Sequence, residues 1–208
     1  AAVKQETGFN YALFWKVLAV VAFIAGLFGV HYYQLRKYNR KLLILSETDK
    51  LTGLANRLKL DKILSQQEQL FIRYQTPCGI IILDIDHFKR VNDTYGHPVG
   101  DLVLKEMAQL ISENIRVTDH VGRWGGEEFL IIAPSSNREE TEQLADKLLR
   151  AMRDQSFEKV GDVTASFGVC AFRHDLTASK VLSLADKALY QAKAEGRNRV
   201  ISCNRFIE

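Results

Sequence analysis

The chain has 208 residues, 47% of them apolar, and a formal net charge of +3. That length and apolar share exclude a disordered chain and allow one domain of ordinary size with its own core, plus an appendage. So small a net charge supplies no global field for nucleic acid, so no nucleic-acid partner is expected and the basic residues count only where they cluster.

Residues 1–10 are expected to form an extracytoplasmic flank and residues 11–33 a transmembrane helix. Tyr11 to Val30 is apolar except for Lys16, and about 20 helical residues at about 1.5 Å each span the roughly 30 Å of bilayer hydrocarbon. Lys16 can snorkel to the headgroups, and Tyr11, Trp15, Tyr32 and Tyr33 supply interfacial aromatics on both sides. Arg36, Lys37, Arg40 and Lys41 follow at once. By the positive-inside rule they place everything from about residue 31 onward in the cytoplasm. A signal peptide is the rival reading, because the uninterrupted core Val17–Val30 falls in the h-region range, but bulky and basic residues stand where a cleavage site needs small ones. A buried core helix is the other, and the basic flank opposes it. The sequence opens on Ala1-Ala2 without an initiator methionine, so a longer protein with an extracytoplasmic portion upstream is expected.

Residues 34–48 are expected as a helical stalk. Leu35, Tyr38, Leu42 and Leu45 fall at a and d spacing, which suits a parallel dimer of stalks, but two heptads equally suit a solvated connector. Cys78, Cys170 and Cys203 are odd in number, widely spaced and set in apolar runs, which reads as reduced core thiols, not disulfides or zinc ligands.

Residues 49–208 alternate in type. Asn56–Gln69, Val99–Arg116, Arg138–Met152 and Val181–Ala192 carry apolar residues at helical spacing. Gly79–Asp84 is an aliphatic run of the kind buried on both faces of a sheet; Val163–Phe172 alternates as a strand and Val200-Ile201 closes as a short one. Val121–Trp124 and Phe129–Ile132 read as two further strands, with Gly125-Gly126 as a two-residue hairpin turn between them. This α/β order with a hairpin inside it points to a mixed sheet covered by helices.

The chemistry gathers at three places. Glu127 and Glu128 follow the two glycines, where missing Cβ atoms admit a triphosphate and a carboxylate can hold a hard cation against it; a solvated surface turn has the same look. Asp84 closes the aliphatic strand and Asp86 follows on the same face, so an oxygen-rich pocket for Mg²⁺ or Mn²⁺ would form if the hairpin came near, although Asp84 could serve as a helix N-cap. The segment Phe88–Asp101 offers Lys89 and Arg90 to phosphate, and Asn92 and Asp101 to a purine edge. A carboxylate pairs with the adjacent N1–H and N2–H donors of guanine, which adenine lacks. Pro98, Asp101 and His97 could instead belong to an ordinary helix start.

Asp49-Lys50-Leu51-Thr52-Gly53-Leu54-Ala55-Asn56-Arg57, Asp84-Ile85-Asp86-His87-Phe88-Lys89, Asn92-Asp93, Gly96-His97, Gly100-Asp101, Arg123-Trp124-Gly125-Gly126-Glu127-Glu128-Phe129 and Ala185-Asp186-Lys187-Ala188-Leu189-Tyr190 through Lys193, Gly196, Arg197 and Asn198 occur in this order. Together they resemble the GGDEF family of diguanylate cyclases over about residues 46–203, in the variant with Glu127 for the signature aspartate. The resemblance implies a palm-like α+β fold with a mainly antiparallel sheet, and condensation of two GTP into cyclic di-GMP and two pyrophosphates across a homodimer. It assigns Asp84, the Ile85 carbonyl and Glu127 to two Mg²⁺ or Mn²⁺ ions. Lys89 is assigned to charge developing on the phosphates, and Glu127 or Glu128 to deprotonation of the attacking 3′-hydroxyl. Asn92 and Asp101 fall to guanine, Phe88, His97, Gly125 and Gly126 to the substrate, Lys193 and Arg197 to the terminal phosphates. Arg116 and Asp119 match the family's Arg-x-x-Asp product-inhibition site. The implied setting is the bacterial cytoplasmic membrane, crossed once, with the catalytic domain inside. The alternative is a catalytically inactive receptor that binds cyclic di-GMP through Arg116 and Asp119.

Overall fold

The computed structural model describes residues 11–45, 47–174 and 176–206, with side chains at 38–45, 205 and 206 outside that description. Residues 1–10, expected as the extracytoplasmic flank, lie outside it as well. The chain divides into two compact units between the first helix and Glu47.

The first unit is the helix α1 (Tyr11–Leu45). Within its 27-residue stretch Tyr11–Lys37 an 18-residue window reaches a mean hydropathy of 2.3, and none of that window is buried. It is therefore long and apolar enough to cross a bilayer, as the run from Tyr11 to Val30 implies. The helix continues to Leu45 within the 34–48 segment expected as a stalk, whereas Thr48 forms a β-bridge with Ala55 and is not helical. Of the proposed heptad seam only Leu35 has a described side chain, so the packing of Tyr38, Leu42 and Leu45 lies outside the described residues.

The second unit follows the order β1 (Ala55–Asn56), α2 (Arg57–Tyr74), β2 (Cys78–Ile85), α3 (Phe88–Tyr95), α4 (His97–Asn114), β3 (His120–Gly125), β4 (Glu128–Pro134), α5 (Arg138–Asp154), β5 (Ser156–Phe157), β6 (Gly161–Asp162), β7 (Ala165–Ala171), α6 (Ala178–Ala194) and β8 (Val200–Ser202). A six-stranded sheet runs β1-β3-β4-β2-β7-β8. Its three central pairings are antiparallel and its two outer ones, β1 with β3 and β7 with β8, are parallel. It is the mixed, mainly antiparallel sheet that the sequence implies.

Strand periodicity sorts the aliphatic run onto both faces. Ile81 and Leu83 pack with α4 and α5, while Ile80 and Ile82 pack with α2 and α6. All eight residues of β2 are buried, which is why that segment reads as continuous and not alternating.

One close approach fixes α6 on the sheet. A Cβ at Gly168 would lie 2.0 Å from the Ala185 carbonyl oxygen and 2.5 Å from the Leu189 nitrogen, both backbone atoms that cannot swing aside. We therefore expect Gly168→Ala to cost about 3 kcal/mol or more, because helix and sheet must part. A fall in the thermal midpoint, read by circular dichroism, measures it; an unchanged midpoint would show that α6 can shift at no cost.

Three expectations need correction. The segment Phe88–Tyr95, to which periodicity assigns no element, folds as α3, and α4 opens at His97, two residues before the expected start at Val99. The hairpin loop sits one residue later than expected. Gly125 pairs with Glu128 after an irregularity at Trp124, so Gly126 and Glu127 form the loop, and of the two glycines Gly126 alone has positive φ, at 23°. Finally, Cys170 and Cys203 form a disulfide with a Cα–Cα distance of 5.2 Å, leaving Cys78 as the free cysteine, buried. The parallel pairing of β8 on β7 carries Cys203 alongside Cys170, a neighbourhood that sequence spacing does not reveal.

Candidate active site

The sheet brings the two acidic segments together. Asp84 lies in register with Glu128 across β2 and β4, and the Ile85 N–H donates to the Glu127 carbonyl at 3.4 Å. Asp84, Ile85, Glu127 and Glu128 thus converge at one end of the sheet, with Asp84 and Ile85 buried and the two glutamates half-buried. Burial pushes the Asp84 carboxyl up to about 6; Lys193 opposes this, and the neighbouring Glu127 and Glu128 add to it. Lys193, near the end of α6, answers the accumulated charge with its Nζ 2.8 Å from Asp84 Oδ2.

Among the described residues no three His, Cys, Asp or Glu side chains gather as a ready-made metal centre. The donors here are of another kind, two carboxylates and a backbone carbonyl. A desolvated carboxylate crowded by two more, with a lysine ammonium as partner, is a site short of positive charge, and all-oxygen donors suit a hard divalent cation.

The signature turn is tied down from outside. Arg123 donates from Nε and Nη2 to the Gly126 carbonyl at 2.9 and 2.7 Å, and its Nη1 lies 3.5 Å from Asp49 Oδ1. Asp49 Oδ1 in turn accepts from the N–H and hydroxyl of Thr52. Arg57 stacks over the Trp124 ring at 4.4 Å, holding the irregular residue ahead of the glycines. Neither Asp49 nor Arg57 carries a role in the sequence reading. An arginine two residues before the paired glycines is the signal that could have suggested the tether.

The residues expected at the base lie together on α3 and α4. Gly100 is buried, and a Cβ there would stand 2.0 Å from Asn92 Oδ1 and 3.2 Å from the Phe88 ring. Asn92 and Phe88 therefore lie directly against the helix position that precedes Asp101, while Asp101, His97 and Lys89 are exposed or partly so. His97 opens α4 and makes no side-chain cap for it.

Arg197 lies beyond α6 in a run of positive φ, with Gly196 at 108°, Arg197 at 65° and Asn198 at 49°. Asp86 does not join the acidic pocket. Its buried carboxylate accepts from the Thr164 and Ser166 hydroxyls, both at 2.7 Å, and from the Asn198 N–H at 3.0 Å.

Arg116 and Asp119 stand apart from this group, at the turn into β3. The Asp119 carboxylate accepts from the Arg116 N–H at 2.9 Å through Oδ2, while its Oδ1 is buried without a hydrogen-bond partner. The Arg116 side chain is exposed. A cleft of about 550 Å³ is at neither place. It lies between α4 and residues 151–158, where Glu106, Glu113 and Glu158 would repel a triphosphate. Charge and donor geometry make the strand-end group the candidate active site.

The chain is similar in sequence and fold to known proteins. Diguanylate cyclase DgcP of Pseudomonas aeruginosa is 40% identical over 156 residues, 74% of this chain and 23% of that protein. The crystallised GGDEF domain of DgcB from Caulobacter crescentus, in complex with c-di-GMP, is 32% identical with a TM-score of 0.72, covering 76% of this chain and 96% of that one. An active GGEEF domain of a Vibrio cholerae diguanylate cyclase is 33% identical with a TM-score of 0.69, covering 73% of this chain and 98% of that one. This chain spans 23% to 46% of the lengths of the first curated relatives it matches. The family described as diguanylate cyclase, GGDEF domain, matches residues 46–199, and to that family the chain belongs.

Proposed function

We propose that the chain is a membrane-anchored diguanylate cyclase that condenses two GTP into cyclic di-GMP and two pyrophosphates, each subunit of a dimer presenting one GTP. One observation carries the reading: Asp84, the Ile85 backbone and Glu127 meet at one sheet end beside Lys193. Relatives of this family bear the name diguanylate cyclase at 34–40% identity.

Asp84, the Ile85 carbonyl and Glu127 would hold two Mg²⁺ or Mn²⁺ ions, which when bound neutralise the triphosphate and acidify the attacking hydroxyl. Asn92 and Asp101 read the guanine edge, with Phe88 against the base and His97 at the rim. Gly125 and Gly126 let the phosphates approach the hairpin backbone. Lys89, Lys193 and Arg197 meet the charge on the β- and γ-phosphates as pyrophosphate leaves. Glu127, or Glu128 beside it, takes the proton of the 3′-hydroxyl, whose oxygen bonds to the α-phosphorus of the facing GTP while the bond to pyrophosphate breaks. No covalent enzyme intermediate is needed, so positioning and charge supply the rate. The exposed apolar helix Tyr11–Lys37 supplies the anchor to the cytoplasmic membrane, with the catalytic unit on the side of the basic residues. Signals reach the site by changing how two subunits face each other.

Incubation of the detergent-solubilised chain with GTP and Mg²⁺, followed by mass spectrometry, should yield cyclic di-GMP; unconsumed GTP would reject the reading. An inactive receptor would need Arg116 and Asp119 alone and would leave the Asp84, Glu127 and Lys193 cluster without a purpose.

Feedback inhibition belongs to the same proposal. The orphaned Oδ1 of Asp119 suits the N–H donors of a guanine, and the exposed Arg116 guanidinium suits a phosphate or the purine's acceptor edge. Arg116→Ala is expected to raise the cyclic di-GMP concentration needed for half-inhibition about tenfold or more, with the initial rate unchanged. Equal inhibition of both proteins would remove the site from consideration.

A further inference from the structure

Three consecutive residues with positive φ, two of them not glycine, make up the turn Gly196–Asn198. Each non-glycine residue in that region costs about 1 kcal/mol or more, and such a conformation persists only where its surroundings impose it. Three side chains and a backbone bond do so here: Arg199 Nε donates to the Arg197 carbonyl at 3.1 Å, the Arg197 N–H donates to the Ala192 carbonyl at 2.9 Å, and Arg153 and Asp86 hold Asn198. Arg153, in the last turn of α5, donates to the Asn198 carbonyl at 2.7 Å and to its side-chain oxygen at 3.0 Å. From the other side Asp86 accepts the Asn198 N–H.

Arg153 is exposed, so its contribution is modest, whereas Asp86 is only 6% exposed. All three donors to Asp86 are fixed by the fold. Thr164 and Ser166 flank the start of β7, and the backbone joins in, since the Asp86 N–H donates to the Thr164 carbonyl at 2.8 Å. Asp86 also lies two residues beyond Asp84 in the chain. The segment that carries Asp84 at the end of β2 therefore also supplies, one residue past the strand, the clamp on the turn that bears Arg197, and Lys193 in the last turn of α6 lies four residues before Arg197.

We propose that Asp86 is a positioning residue, its buried carboxylate holding the Gly196–Asn198 turn in its left-handed conformation so that Arg197 reaches the terminal phosphates of the nucleotide. The inference rests on the cyclase reading above, since it needs a triphosphate as substrate. It predicts a selective defect. Loss of the clamp weakens recognition of the β- and γ-phosphates and leaves the guanine contacts of Asn92 and Asp101 intact.

The full chain in detergent micelles, as wild type, Asp86→Asn, Arg197→Ala and the double variant, provides the test. The GTP KM and the inhibition constant of GMP are measured for each, with hydrogen exchange followed in peptides covering residues 196–199. Asp86→Asn should raise the GTP KM about tenfold and leave the GMP constant within about twofold. The Asn198 amide should exchange faster, and the double variant should be no worse than Arg197→Ala alone, as residues acting through one another are non-additive. Unchanged exchange at Asn198, an equal loss for GMP and GTP, or multiplying effects of the two substitutions would each overturn the inference while leaving the cyclase reading in place. A wild-type chain that favours GTP no more than GMP would overturn the cyclase reading and this inference with it. If Asp86→Asn does not fold, Thr164→Val removes one hydroxyl from the same Oδ2 and should give the same selective pattern at about threefold.

Discussion

Glu127→Ala should lower the rate of cyclic di-GMP formation at least about 10²- to 10³-fold while leaving the fold intact. The expectation combines two features of its place. Glu127 occupies the hairpin loop, outside the paired registers of β3 and β4, and its one described backbone contact is the carbonyl that accepts from Ile85, which alanine retains. Its carboxylate is half-buried and pushes the Asp84 carboxyl upward, so its charge is felt across the site. Removing it relieves repulsion, and the thermal midpoint should hold or rise slightly. Pyrophosphate release measures the rate, and calorimetry measures the midpoint. Retained turnover would take Glu127 out of the reaction, whereas a collapsed midpoint would show the carboxylate to be a structural element.

What could be read from the sequence follows from the range of each interaction. The aliphatic run before Asp84 is buried on both faces, so periodicity and composition alone mark it as a central strand. Helices α4, α5 and α6 show themselves by apolar stripes several turns long. Helix α3 does not, for eight residues hold only Phe88 and Val91 on an apolar face and it starts from His87 with φ of 57°. Strand order, the parallel edges and the Cys170–Cys203 pairing depend on segments far apart in sequence and leave no periodic trace. The same holds within the site. Asp84, Asn92, Asp101 and Glu127 are legible as motif residues, but the same spacing places Asp84 and Asp86 alike, and only the fold gives one to Lys193 and the other to Thr164, Ser166 and the Asn198 turn.

Asp84→Asn should abolish turnover and, in the absence of metal, stabilise the fold. The direction follows from the carboxyl standing at about 6 in the folded chain, with burial as the chief cause, against about 4 for an ordinary aspartate. Because the folded state then binds the proton more tightly than the unfolded state, this group costs nothing below about pH 4. Its penalty grows between about pH 4 and 6, and above that it stays at its full value, on the order of 2–3 kcal/mol. The substituted amide carries no charge to desolvate, so at pH 7 the variant's thermal midpoint should lie about 4–8 °C above that of the wild type. Below about pH 4 the two should converge as far as this group decides it. Lys193 does not cancel the gain, since its side chain is 32% exposed and can turn to water once its partner is neutral. Addition of Mg²⁺ with GTP should reverse the order, stabilising the wild type through the very charge that burdens it alone and leaving the variant unmoved. Melting curves from about pH 4 to 8 with and without Mg²⁺ and GTP would decide this. A variant less stable than wild type at pH 7, or one stabilised equally by Mg²⁺ and GTP, would mean that Asp84 is held for the fold and not for the cation.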